Sequence, residues 1–406
     1  MTAGAVALRR NRDFMLLQTG QLLSSAGTQL TAVAFPLLVL ATTGSAAKAG
    51  AVGFARLVPA ALLALPAGAA ADRWNRRRLL IAADLVRVVA VGVLGMAILL
   101  DALAFWAIVL VAFVEGVGST FFGPAYTGAL RSVVPRHQLP AAITVQTGRL
   151  ATVSLAGPPL GGALFGLARA LPFLADAVSY AASTLSLLLM RTPFQEERDR
   201  DPAPLRAQLV EGFRFLWSLP FLRTCALVFG ISNFVARGLL LALVVIGAEQ
   251  GLTGGEVGAL VGVFAAGVLA GSFLSPFVRR VLPPRAVLVL ELWTWPLCAI
   301  FLVHPNVWVL LVGMLPTALA IPSTDSVVHG SRIALTPDRL IGRTEAVWST
   351  VALALTPLGP LLAGALLASA SQRATVGLFA VCALALAVWG TLSPSLRHPP
   401  HLEAGD

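Results

Sequence analysis

The chain has 406 residues, of which 57% are hydrophobic and only 12% charged, with a formal net charge of +10 at pH 7 and a mean hydropathy of +0.84. Soluble domains carry about a quarter charged residues, so a water-soluble enzyme or scaffold is excluded. Nucleic-acid binding is excluded as well, because the basic residues lie in short gaps between apolar runs and form no basic face with interleaved aromatics.

A spanning helix needs about 20 apolar residues. Runs of that kind fall at about 14–40, 48–70, 79–100, 104–126, 139–166 and 171–190, and again at about 221–248, 255–278, 286–303, 306–328, 339–367 and 372–392. The expected fold class is therefore an all-α membrane protein with twelve transmembrane helices. Arg9, Arg10 and Arg12 precede a first run too long for a signal peptide, which reads as an uncleaved first helix. One face collects these arginines with Arg73, Arg76, Arg77, Arg78, Arg131, Arg136, the linker arginines, Arg279, Arg280, Arg285, Arg332, Arg339, Arg343 and Arg397. The other keeps only Lys48, Arg169 and Arg373. That asymmetry predicts a multi-pass protein of the plasma (inner) membrane with both termini cytoplasmic.

The first two gaps are short, so spans two and three are antiparallel neighbours around a dense charge knot, Gly68-Ala-Ala-Ala-Asp72-Arg73-Trp-Asn75-Arg76-Arg77-Arg78. Gly68 is expected to let two helices approach closely. Asp72 is expected to accept from backbone N–H groups at a helix start, and Asn75 to take a left-handed turn position. Asp84 and Arg87, three residues apart on one face of the third span, are expected to brace this loop.

Charges inside spans are functional candidates. Glu115 lies about eleven and Arg149 about ten residues into their spans, about 15 Å along the axis, which predicts a Glu115–Arg149 pair near mid-depth. Such a carboxylate suits proton uptake, tuned by the cation. Arg56 and Arg237, in the outer halves of the second and seventh spans, either contact an anionic substrate group or snorkel outward. Asp176 is expected to bracket helices, and Glu291 and Glu345 to mirror the loop's charge network in the second half. Gln18, Gln21, Gln29 and Asn233 offer neutral polar contacts, between helices or to a cavity. Trp293 and Trp295 suit an interfacial belt or a wall on which a substrate stacks.

Residues 191–220 form the one polar interruption, a charged linker followed by an amphipathic helix in which Leu205, Leu209, Phe213, Leu216 and Trp217 share a face. The expected organisation is a six-helix bundle over 1–190, the linker over 191–220, a second bundle over 221–392 and a cytoplasmic tail over 393–406. The halves repeat: Val134-Pro135…Leu139 followed by Gly157-Pro158-Pro-Leu-Gly161-Gly162 parallels Thr336-Pro337…Leu340 followed by Gly359-Pro360-Leu-Leu-Ala363-Gly364. The proline kinks each helix and the glycines admit a partner.

No phosphate loop is present and Lys48 is the lone lysine, so ATP is not expected as driver. Cys225, Cys298 and Cys382 stand apart inside apolar runs, and the five histidines are scattered. No metal, cofactor or catalytic constellation is expected.

The pattern Gly68-x-x-x-Asp72-Arg73-x-x-Arg76-Arg77 resembles the signature loop between the second and third helices of the major facilitator superfamily, with Asn75 where that family usually has a second glycine. The resemblance implies two six-helix bundles, with the aspartate and arginines latching the halves in one state. Gly157-Pro158-x-x-Gly161-Gly162 resembles the glycine–proline motif of proton-driven antiporters, with Val153 replacing the family's earlier glycine. Asn11-Arg-Asp-Phe14, Gly20-Gln21…Gly27-Thr28-Gln29, Phe122-Gly123-Pro124-Ala125 and Phe173-Leu-Ala-Asp176-Ala-Val-Ser179-Tyr180 are similar to the drug and siderophore efflux branch, which includes macrolide and enterobactin exporters. That likeness implies a bacterial secondary transporter, monomeric in the lipid bilayer, exporting a small amphipathic molecule in exchange for protons. An importer or uniporter, or a non-transporting membrane sensor on the same fold, is the alternative.

Overall fold

A computed structural model describes residues 8–192, 194 and 205–397. The charged linker between 195 and 204, the tail from 398 with His398 and His401, and the side chains of 205–209 lie outside the described residues, as do those of Arg9 and Arg397. Among the described residues there are helices and turns but no strand, and twelve spans are long and apolar enough to cross a membrane.

The first six spans are α1 (Arg12–Thr43), α2 (Ala46–Arg73), α3 (Arg76–Leu99), α4 (Phe105–Val133), α5 (Leu139–Leu167) and α6 (Leu171–Leu189). A separate helix, α7 (Leu205–Ser218), leads into α8 (Pro220–Glu249) and α9 (Gly254–Val281). Then follow α10 (Pro284–Thr294), α11 (Val307–Leu335), α12 (Ile341–Ala354), α13 (Leu358–Ser369), α14 (Gln372–Leu392) and the single turn α15 (Pro394–Arg397). Twelve crossings bring both ends of the chain to one face, called here the near face.

Short polar side chains set the helix starts. Asn11 accepts from the Phe14 amide, Ser45 from Lys48 and Ser371 from Ala374, while Thr253 and Glu256 form a reciprocal capping box. Asn75 belongs to this set. It was expected in a left-handed turn, but it sits at φ −64° and ψ 111° and caps α3 by accepting from the Arg78 amide. The turn is so tight that the residue after α2 is already the approach to α3, and a cap is what asparagine supplies there.

Two spans are less regular than their sequence suggests. The ninth is α-helical only to Thr294 and continues as a 3₁₀ helix over Trp295–Leu302. Pro296 removes a backbone donor at that junction. The eleventh is broken between α12 and α13, where Pro357 follows Thr356. Trp295 lies in the core and not in an interfacial belt, while Trp293 is exposed and donates to the Thr391 hydroxyl at 3.0 Å.

The near-face loops fasten the first bundle. Asp13 accepts from the Arg191 and Thr192 amides at 3.1 and 2.7 Å, tying the start of α1 to the end of α6. Asn11 donates to the Val133 carbonyl at the end of α4. Arg77 closes the last turn of α6 by donating to the Leu187 and Leu188 carbonyls, and Arg76 reaches the Ala71 and Phe194 carbonyls. Asp72 lies 3.8 Å from Arg76. In the second half Arg332 pairs with Glu345, and Glu211 of α7 pairs with Arg343 and, at 3.7 Å, with Arg339. On α7, Leu216 is buried while Phe213 and Trp217 stack with ring centroids 4.8 Å apart.

Candidate functional site

The two glycine–proline segments build the same contact twice. On α5, Gly157 and Gly161 face Gln29 and the Leu30 backbone of α1, while Gly162 faces the Gly254 carbonyl of α9. On α13, Gly359 faces the Phe234 carbonyl of α8, while Gly364 faces Ala46 and Gly50 of α2. Each segment thus clasps one helix within its own half and one across the molecule. Both cross-contacts lie at the ends of helices remote from the near face. At these positions a Cβ has no room, so backbones meet directly.

On the near side several glycines face open space. A Cβ added to Gly68, Gly148 or Gly342 would meet nothing within 4 Å. Gly68 was expected to sit at a close helix approach, and in this arrangement it faces open space. On α5, residues 143, 144, 145, 147, 148 and 150 are all exposed, so this half of the helix is packed on one side only. Between these contacts and the exposed half of α5 lies a cavity of about 590 Å³, closed at the far end by the two glycine contacts. That is within the range of pockets that hold small molecules.

Its walls come from α1, α2 and α5 on one side and α8, α9 and α13 on the other. They are mainly apolar, from Phe35, Val52, Leu240 and Phe264. The polar groups are few: Gln29, Ser154, Thr147, Ser272, Arg56 and Arg237. Gln29 donates to the Ser154 hydroxyl at 3.1 Å, linking α1 to α5 on the wall. Asn233 does not line the cavity; it donates to the Phe229 and Ala352 carbonyls and joins α8 to α12.

Behind the wall lies a buried charge cluster. Arg56 holds Glu115 with two donors, its Nε to Oε2 and an NH₂ to Oε1 at 2.9 Å, and gives a third bond to the Thr28 carbonyl at 3.2 Å. The Tyr180 hydroxyl donates to Glu115 Oε1 at 3.4 Å and lies 2.8 Å from the Thr28 hydroxyl. Asp176 accepts from Thr31 at 3.0 Å and from Ser179 at 3.2 Å, bracketing α1 against α6 as expected. Arg56 reaches the cavity, whereas the Glu115 side chain is 2% exposed. Anything passing between cavity and carboxylate therefore passes the guanidinium.

The expected Glu115–Arg149 pair is not formed. Both lie ten residues into their helices, but α4 starts at the far face and α5 at the near face. Ten residues from opposite ends of two 29-residue helices leaves the two about 12 Å apart in depth. Arg56 and Glu115 are each ten residues from a far-face start, so they share a level. Arg149 instead donates to the Gln18 side chain at 2.8 Å and lies over the Tyr126 ring.

Asp84 and Arg87 also differ from expectation. They pair with each other at 2.5 Å, fully inside the bundle, and the Arg87 guanidinium lies 4.4 Å from the Tyr180 ring centroid and 4.8 Å from that of Phe122. They support the cluster's aromatic floor, deeper than the loop they were expected to brace. Glu291 and Glu345 were expected to mirror the loop's charge network; Glu345 pairs with Arg332, whereas Glu291 is buried away from it. Thr28 and Tyr180 are site residues that the sequence reading used only as marks of resemblance. The signal was there, since Tyr180 is one of only two tyrosines and sits mid-span.

A family model described as "Transmembrane secretion effector" matches residues 3–404. Among curated proteins, the multidrug efflux pump Tap of Mycolicibacterium fortuitum is 28% identical over 402 residues, covering 94% of this chain and 96% of Tap. The enterobactin exporter EntS of Salmonella typhimurium is 25% identical over 359 residues, 83% of each chain. Among solved structures, a bacterial homologue of the human lysosomal transporter Spinster, inward-facing and occupied, superposes with TM-score 0.74 at 16% identity, covering 95% of this chain and 97% of that one.

Proposed function

The chain belongs to the transmembrane secretion effector family of major facilitator transporters, and on that premise we propose that it exports a small amphipathic molecule across the plasma membrane in exchange for protons. The observation that carries this reading is the pairing of an apolar cavity, closed at its far end by backbone contacts, with a buried Arg56–Glu115 pair at its wall. With the termini cytoplasmic, as the basic loops imply, the cavity opens inward and is poised to load from the cytoplasm or inner leaflet. The efflux proteins Tap and EntS are similar along most of their length, which supports export over import.

Glu115 is the proposed proton carrier, and Arg56, not Arg149, is the partner that responds to it. Protonating Glu115 removes the charge that holds the Arg56 Nε and NH₂ groups. The guanidinium is then free to move within the cavity wall, and Tyr180, itself held by the Thr28 hydroxyl, remains to hold the neutral acid. Exchange follows if substrate and proton compete for this wall on opposite sides of the cycle. Asp72 and the loop arginines are assigned to latching the near face once it closes.

The test uses inverted membrane vesicles with an acidic lumen, a panel of amphipathic drugs, dyes and chelators, and a readout of proton release. Substrate-dependent release that is lost in Asp72→Asn and in Glu115→Gln is expected. Transport by Glu115→Gln with an unchanged pH dependence removes Glu115 from the coupling role, and substrate binding without flux in any vesicle orientation removes transport itself.

A further inference from the structure

Arg237 is the cavity residue that the coupling pair leaves unexplained. It lies twelve residues from the far end of α8, about 18 Å in, level with Arg56 on the opposite wall. Among the described residues no hydrogen bond or ion pair is made by its guanidinium, and its one interacting charged neighbour is Arg56, also a cation. The cavity lining contains no Asp or Glu. Arg56 is compensated from behind by Glu115, so the wall carries one net positive charge, and it carries it in an apolar space. Arg237 is exposed to the cavity, so its donors are open to a ligand there. Its planar fork is matched by a carboxylate, sulfonate or phosphate.

We infer that Arg237 is a specificity-determining residue, and that the cavity takes amphipathic molecules whose apolar body sits against α1, α2, α8 and α9 while an anionic group docks on the Arg237 fork. This rests on the cavity being the substrate site. It excludes a distinct class: an ammonium-bearing amphiphile meets a cation at this level and no carboxylate on the wall. The anion has two sources, a soluble amphiphile entering from water or a lipid headgroup entering from the bilayer, and both present the same group to Arg237.

Binding is measured by titration calorimetry on the full chain in phosphatidylcholine nanodiscs, with empty discs subtracted. The probes are pyrenebutyrate, pyrenebutanol and pyrenebutylammonium, which share one apolar body. A charge-assisted bond predicts that the carboxylate binds about tenfold or more tighter than the alcohol, with the ammonium weakest. In Arg237→Gln the carboxylate falls to the level of the alcohol while the alcohol is unchanged, which also reports that the cavity is intact; Arg237→Lys retains part of the preference. Equal affinity for all three probes, or a carboxylate preference that survives in Arg237→Gln, overturns the inference. Adding phosphatidylglycerol to the discs separates the sources: competition with pyrenebutyrate assigns the site to a lipid headgroup, and no competition assigns it to a soluble anion. These are binding readouts, so failure of the vesicle assay with the charge preference intact defeats export and leaves the anion site standing.

Discussion

Replacing Gly364 by alanine tests whether the far end is held shut by backbone contact. A Cβ at this position falls 2.5 Å from the Ala46 carbonyl oxygen and 2.8 Å from Gly50 Cα. Ordinary carbon contacts need about 3.5–4.0 Å, so α2 and α13 must part by about 1 Å. Neither obstacle is a flexible side chain, so nothing local can yield. A gap of that size forfeits about a quarter to a half of the attraction of each atom pair along the seam, and overpacking of this kind costs about 1–3 kcal/mol. The penalty applies only to the far-closed state, because the other state separates these helices. The equilibrium therefore moves by about 5–150-fold towards far-open. The assay is pulsed electron resonance between spin labels at Lys48 and Ser369, on either side of the seam, in a cysteine-free background. Gly364→Ala is expected to add a longer distance that the parent lacks, while Gly166→Ala, where a Cβ meets nothing within 4 Å, leaves the distribution alone. A Gly364→Ala distribution indistinguishable from the parent refutes the idea that this seam sets the state.

The opposite sign is expected at the near face. Gly148→Leu adds bulk into open space in this arrangement, so the parent distance persists and the far-open component induced by Gly364→Ala shrinks in the double variant. If Gly148→Leu instead lengthens the distance, the near-face opening has been misassigned. For the charge cluster, Arg56→Gln strands a buried carboxylate and is expected to lower stability by about 3–5 kcal/mol, while Arg56→Gln combined with Glu115→Gln restores part of it. Thermal unfolding in detergent measures both, and a double variant no better than the sum of the singles argues against a coupled pair. Asp13→Ala removes the acceptor for the Arg191 and Thr192 amides and is expected to cost about 1–3 kcal/mol in the same assay, with unchanged stability counting against the tie between α1 and α6.

The spans were legible because membrane helices announce themselves by length and apolarity, and the repeat of Gly157–Gly162 in Gly359–Gly364 pointed to paired seams. What each glycine meets was not legible, since Gly68 and Gly364 look alike in sequence and differ only in whether another backbone lies opposite. The pairing of Glu115 went astray for a reason that sequence does contain. Depth must be counted from a common face, and counting Glu115 and Arg149 from their own helix starts placed at one level two residues that are about 12 Å apart. Counting from the far face selects Arg56 at once. Trp295 was misplaced because residues two apart on a helix face nearly opposite sides, so with Trp293 exposed Trp295 falls in the core.

The halves repeat in their seams but not in their charges, and the difference bears on mechanism. If the glycine–proline segments on α5 and α13 are equivalent hinges, rocking about them is symmetric and carries no preference for what is moved. Preference has to come from the wall, and there the bundles diverge. The first bundle holds Arg56 against Glu115, with Tyr180, Thr28 and Arg87 packed around it, so its charge is internally answered. The second presents Arg237, which no acid among the described residues answers. A ligand that supplies an anion bridges the two bundles at one level and links their motion. A proton arriving at Glu115 alters the same wall by freeing a second cation beside the first. Proton and anion then act on a single cluster of charge, so the occupancy of one alters the affinity of the wall for the other.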